Sequence, residues 1–187
     1  QATPAMLVAG GYAGIVYPIY IPDYGDNNHP TIRLAESILS TLESIVAAQP
    51  LLLPASQPVP AGSIAVFASI EGAGAFAADI SQIDRFIQRG VRLVGPVHAG
   101  DNRLAGAATG KLAHGLTELG KRFCKRVYAA GALVDVSHMS DKSFADLVPI
   151  AAAAKAPIVA THSNARKRRG HKRNLTDAQL RTIAKTG

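Results

Sequence analysis

Cysteine occurs once in the 187 residues, at Cys124, so no disulfide can form within the chain. A single thiol in a helical stretch reads as a buried structural group and not as a nucleophile. Charge is missing at the start, where no charged side chain precedes Asp23. Such an apolar opening could be a secretory signal or a membrane span, but it lacks a positive leading region. Gly10, Gly11, Gly14, Pro18 and Pro22 also interrupt any helix long enough to cross a bilayer. We therefore expect no transmembrane segment, and a buried strand with its loop over Met6 to Ile21. Aromatic residues are scarce near the end, where Phe144 alone follows Tyr128.

That last scarcity bears on the densest charge in the sequence. Arg166-Lys-Arg-Arg-Gly-His-Lys-Arg173 holds six of the 20 Lys and Arg residues, and without them the formal charge falls from +7 to +1. Nucleic-acid binding is the usual reading of such a run. No stacking platform accompanies these charges, so no nucleic-acid partner is expected. One member of the run is expected to be functional while the rest form a solvated loop. For Arg166 to Arg169 an acidic partner or a mobile loop is the alternative.

What the chain does have is a core and a repeated polar punctuation. Hydrophobic residues make up 48% and charged residues 18%, which suits one compact domain over residues 1–187 and excludes disorder. Three apolar runs of strand-like composition each lead into a potential metal ligand. Ile64 to Ile70 leads into Glu71, Ala132 to Ser137 into His138, and Pro157 to Thr161 into His162. Parallel α/β barrels build their sites at the C-terminal ends of strands, so this placement points to one shared site. A carboxylate at the end of an apolar strand is costly to bury unless it meets a cation, an Arg or a hydrogen-bond cluster. Singly, His138 and His162 read as structural histidines; as a set with Glu71 they read as ligands, with zinc the expected occupant.

The rest of the pattern is an alternation of strands and helices, which means a parallel sheet. Leu34, Ile38, Leu42, Ile45 and Val46 recur at helical spacing between Thr31 and Ala48. Pro50 to Pro60 has four prolines in eleven residues and reads as an irregular connection. Strands are expected from Ala61 to Ile70, Val91 to Val97, Leu133 to Val136 and Ile158 to Ala160. Helices are expected over Asp79 to Gln88, Glu118 to Ala130, Asp141 to Ala154 and Asp177 to Lys185. Thr117, Ser140 and Thr176 are the expected N-caps, and Gly90, Gly131 and Gly187 sit where glycines end helices.

Six words in this order carry a resemblance: Ile70-Glu-Gly-Ala73, Gly90-Val-Arg-Leu-Val-Gly-Pro-Val-His98, Gly115-Leu-Thr-Glu-Leu-Gly120, Leu133-Val-Asp-Val-Ser-His138, Thr161-His-Ser-Asn-Ala-Arg166 and Arg173-Asn-Leu-Thr-Asp177. From about Gly10 to the last residue the sequence resembles the membrane (renal) dipeptidase family of zinc metallopeptidases, peptidase family M19. The resemblance implies a TIM-like (β/α)8 barrel of the metallo-dependent hydrolase type. It implies zinc-dependent hydrolysis of dipeptides by a metal-bridging hydroxide, with two zinc ions in a complete site. The residue matching Glu71 bridges the two ions, and those matching His138 and His162 complete the shell of one. His98 matches a histidine that contacts substrate and stabilises the tetrahedral intermediate, and Arg173 matches an arginine that receives the free carboxylate of the dipeptide.

The same resemblance sets out departures. The family's His-x-Asp at the end of its first strand is not here: the only histidine before Glu71 is His29, with Thr31 where the Asp would stand. A late Asp-bearing strand end is also missing, and a whole barrel needs roughly 250 residues. The chain is therefore expected to be an incomplete barrel, carrying about strands two to six of eight and inactive alone. The alternative is a catalytically silent zinc-binding or interaction fragment. Ala73-Gly-Ala follows Glu71 where some members have Gly-His. Asp135 is open to two readings, as an orienting group or as an inward-facing barrel carboxylate. The expected partners are a dipeptide substrate and, as one candidate assembly, a homodimer. The compartment is left open.

Overall fold

Alternating side chains along one strand decide how this molecule is layered. In β3 (Ile64–Glu71), Ile64, Val66, Ala68 and Ile70 are buried, whereas Ala65, Phe67, Ser69 and Glu71 are only partly covered. A strand turns successive side chains to opposite faces, so one face meets the helices and the other lines a concave surface. The computed structural model describes residues 3–22, 29–55 and 57–187. In chain order its elements are α1 (Pro4–Ala9), β1 (Gly14–Tyr20), α2 (His29–Ala48), β2 (Leu52–Pro54), β3, two short 3-10 turns (Ala73–Ala77 and Ile80–Gln82) and α3 (Ile83–Gln88). They continue as β4 (Val91–Gly95), α4 (Glu118–Ala129), β5 (Leu133–Val134), α5 (Asp141–Ala154) and α6 (Asp177–Ala184).

All strand pairs are parallel, as the βα alternation requires. The sheet order is β1-β3-β4-β5. β1 pairs with β3 over Gly14–Tyr20, while β2 pairs with its first half and β4 with its second, so the central strand is tied along both edges. A single bridge between Asp135 and Val159 continues the sheet beyond β5. Register brings Tyr20 beside Glu71, and Glu71 beside Gly95. The carboxyl ends of the strands therefore gather at one rim.

Behind the sheet lies the core. Phe76, Phe86 and Phe123 are fully buried, with Phe76 edge-on to Phe86 at a centroid distance of 5.2 Å. Each large aromatic buried in this way contributes a few kcal/mol, roughly 1.5–3 by transfer alone. Helix α4 turns Phe123, Cys124, Val127 and Tyr128 inward. The helix starts follow their caps: Thr117, Ser140 and Thr176 accept from the backbone N–H groups of Gly120, Ser143 and Gln179, and Gln179 closes a capping box. Each cap stabilises by about 1 kcal/mol.

Several expectations are corrected. Met6 to Ala9 belongs to helix α1, because Thr3 caps it and Pro4 sits in its first turn; the strand starts only at Gly14. The proline-rich connection holds a short strand, β2, with Pro54 at its last position. The helix expected from Asp79 begins as a 3-10 turn, since the Asp79 side chain accepts from Ser81 N. Strand β4 ends at Gly95, not Val97, and Leu133 to Val136 shortens to β5. Ile158 to Ala160 contributes the one bridge at Val159 and no regular strand. The side chains of His29 and Thr31 and the residues 23–28 lie outside the described residues. Among the described residues, no helix is long and apolar enough to cross a membrane.

Candidate metal centre

Glu71 is the last residue of the central strand, and its neighbour fixes how it leaves the sheet. Gly72 follows at φ 87°, and a Cβ there would lie 2.5 Å from the Ile21 carbonyl oxygen. Only glycine fits so tight an exit, and Glu71 is thereby turned along the rim. His138 lies beyond β5 with φ 75°, a left-handed conformation that costs a non-glycine residue about 1 kcal/mol. His162 follows the bridged segment at Val159.

These three side chains meet. His138 Nε2 lies 3.1 Å and His162 Nε2 3.2 Å from Glu71 Oε1, and the two Nε2 atoms are 2.9 Å apart. Four-coordinate zinc, with ligand distances of about 2.0–2.2 Å, sets its donors about 3.3 Å apart. A second trio overlaps the first: donors of Glu71, His98 and His138 lie within 4.8 Å of one another. It is the looser of the two, with His98 Nε2 at 3.8 Å from Glu71 Oε1. One carboxylate oxygen and two imidazole nitrogens at such spacing fit a divalent metal.

Protonation agrees with that fit. Burial above all, then the charges of Arg173, His98 and His162, lowers the His138 imidazole to about pKa 3, so it is neutral near pH 7. The His98 backbone pulls the other way but does not reach hydrogen-bond geometry, and His138 Nδ1 is buried without a partner. Metals bind the neutral imidazole.

His98 stands at the edge of this group. Its ring lies 4.2 Å from that of His138 and edge-on to Tyr20 at 4.7 Å, and its Nδ1 is buried without a partner. Arg173 reaches in from the other side. Its Nη1 donates to Ser163 Oγ at 3.4 Å, burial lowers its pKa, and the charges of Asp135 and Glu71 oppose that shift. A cleft of about 540 Å³ lies along the concave face, lined among others by Val16, Ser69, Glu71, Asp135, Thr161 and His162. It is large enough for a small peptide.

The family profile described as membrane dipeptidase (peptidase family M19) matches residues 2–187. The chain belongs to this family. Among curated relatives, an uncharacterized protein encoded in the pqqA 5' region of Klebsiella pneumoniae is 40% identical over 130 residues, covering 66% of this chain and 47% of that protein. Among solved structures, the probable dipeptidase PvdM from Pseudomonas aeruginosa superposes with a TM-score of 0.79 at 26% identity, over 96% of this chain and 50% of its own. A metallopeptidase from Rhodobacter sphaeroides, liganded with a phosphinate mimic of the dipeptide L-Ala-D-Ala, gives 0.75 at 26% identity, over 96% and 61%. The M19 fold is thus shared, and the chain spans about half the length of the relatives it matches.

Two features of this site are not legible in the sequence. Tyr20 joins it through strand register, which no local pattern reveals. The sequence marks Thr161 only as the residue before His162, yet it holds both Asp135 and His162. Its adjacency to His162 was the available signal.

Proposed function

We propose that Glu71, His138 and His162 hold a zinc ion and that the protein of which these residues form the site is a dipeptidase. The observation that carries this reading is the convergence of the three donors within 3.2 Å at the rim of a parallel sheet. Bound zinc supplies an activated water and polarises the peptide carbonyl. Glu71, with two oxygens, suits a bridge to a second ion. His98 offers an imidazole N–H to the negative charge developing on the scissile carbonyl. Arg173 presents a guanidinium fork to the free carboxylate of a dipeptide, which confines cleavage to the bond beside a C-terminal residue.

Because the chain spans about half of its relatives' length, we propose that it carries an incomplete barrel, one metal's shell and little of the second. Hydrolysis then requires the remaining family elements. Zinc titration of the chain should give one tight site that His162→Ala removes. In a protein holding the complete site, Arg173→Ala should weaken hydrolysis of free dipeptides by several kcal/mol and hardly affect C-terminally amidated ones. Zinc bound without any hydrolysis by the complete form would favour a silent zinc-binding module instead. Failure of the chain to retain zinc would overturn the reading.

A further inference from the structure

His162 is the exposed member of the trio, with 47% of its side chain accessible, and it sits on a segment joined to the sheet by one bridge. An exposed ring on a lightly tied segment has little packing to aim it beyond the His138 ring, whose centroid is 5.0 Å away. Hydrogen bonds take that part. His162 Nδ1 lies 2.8 Å from Thr161 Oγ1, and Thr161 Oγ1 lies 2.5 Å from Asp135 Oδ2. Asp135 is buried and also receives the backbone N–H groups of Ser137 and Thr161 on Oδ1, at 2.9 and 3.2 Å. The His162 backbone N–H donates to Ser137 Oγ at 3.2 Å, and that hydroxyl stands 3.5 Å from Thr161 Oγ1.

The direction of each bond follows from what the groups can do. A carboxylate has acceptor capacity only, so the single hydroxyl proton of Thr161 points to Asp135. The Thr161 oxygen is then left as an acceptor, and the group 2.8 Å away on His162 must be an N–H. That places the proton on Nδ1 and leaves the lone pair on Nε2, with His138 Nε2, 3.1 Å from Glu71 Oε1 and 2.9 Å from His162 Nε2, as the N–H that faces both. We infer that Asp135 and Thr161 are positioning residues that lock His162 in its Nδ1–H tautomer and so present Nε2 for ligation. His138 has no such device, since its Nδ1 is buried and unpartnered. The metal-binding part of this inference rests on the proposed zinc site; the tautomer does not.

Asp135→Asn makes the sharpest test. The two backbone donors require the amide oxygen at the Oδ1 position, which puts the amide NH2 against Thr161 Oγ1. Thr161 then loses the acceptor that held its proton and is free to donate to His162 Nδ1, and a ring that accepts there carries its own proton on Nε2, where it blocks ligation. Histidine-selective ¹⁵N NMR of the zinc-free 187-residue chain, at about pH 8 where histidine is neutral, should find His162 as Nδ1–H in the parent and as Nε2–H in Asp135→Asn. Thr161→Val should lose the preference, and Thr161→Ser should restore it. Zinc affinity, read by competition with a chromophoric chelator, should fall about 10–100-fold in Thr161→Val and at least as far in Asp135→Asn, and recover in Thr161→Ser. Should Asp135→Asn not fold, Thr161→Val decides alone, since it removes one hydroxyl and keeps the shape. Nε2–H in the parent, or parental zinc affinity in Thr161→Val, overturns the relay. If His162→Ala binds zinc as the parent does, the zinc site is what fails, and the tautomer measured without metal still decides the relay.

Discussion

Arg166 and Asp141 meet fork to fork, with Nη1 2.8 Å from Oδ2 and Nη2 2.7 Å from Oδ1. Arg166 Nε also donates to the Asn174 carbonyl, and Gln179 donates to Asp141, so the pair joins the start of α5 to the loop before α6. Buried Asn174 closes that loop from inside by accepting from Asn164 N and donating to the Arg169 carbonyl. The first arginine of the basic run is therefore a structural staple, while Lys167, Arg168, Arg169 and Lys172 are exposed.

Arg166→Ala should lower stability by about 1 kcal/mol in denaturant melts, a figure discounted for the partial exposure of both partners. Arg168→Ala and Arg169→Ala should stay within about 0.5 kcal/mol of the parent. Equal losses at all three would mean that the staple carries nothing.

The staple also has a pH signature. The hydrogen bond from Arg166, followed by that from Gln179, lowers the Asp141 carboxyl below its ordinary 3.8 against an opposing effect of burial. A group whose folded pKa is depressed stabilises above its unfolded pKa and stops doing so as pH falls through the folded value. The gap between parent and Arg166→Ala should be constant above about pH 4 and should close below it. Thermal melts across that range measure the gap.

Gly72→Ala should cost about 2–4 kcal/mol, because the new Cβ meets the Ile21 carbonyl oxygen at 2.5 Å in addition to its positive φ. Gly62 has φ 85° with nothing within 4 Å of the added atom, so Gly62→Ala should cost only about 1 kcal/mol. Comparing the two separates collision from conformation. A Gly72→Ala protein that melts with the parent and holds zinc as tightly would remove glycine's part in aiming Glu71.

Burial pushes the Cys124 thiol up to about 12. A disulfide reagent at neutral pH should leave the native chain unlabelled and react fully once denaturant opens it. Fast labelling of native protein would place Cys124 outside the core.

Much of this arrangement was legible because its causes are local. An apolar run of strand-like composition marks β3, Thr117, Ser140 and Thr176 announce three helices, and the residues after three apolar runs lie together in the structure. What escaped depends on partners distant in sequence. The apolar opening looked like strand throughout, and only Thr3 with Pro4 divides off a helix. The charge at Arg166 has its reason in Asp141, 25 residues away in sequence. Tyr20 reached the site by pairing with Glu71 across the sheet.

The three donors are fastened with unequal strength. Glu71 ends the strand that is hydrogen-bonded on both edges, whereas the segment of His162 has one backbone bridge, at Val159, and is otherwise held by the side chains of Asp135 and Ser137. Thermal opening of the rim will start on the His162 side, and backbone amides after Val159 should exchange with solvent sooner than those of β3. The rim thus has one arm fastened by backbone ladders on both edges and another fastened chiefly by the side chains of Asp135, Ser137 and Thr161.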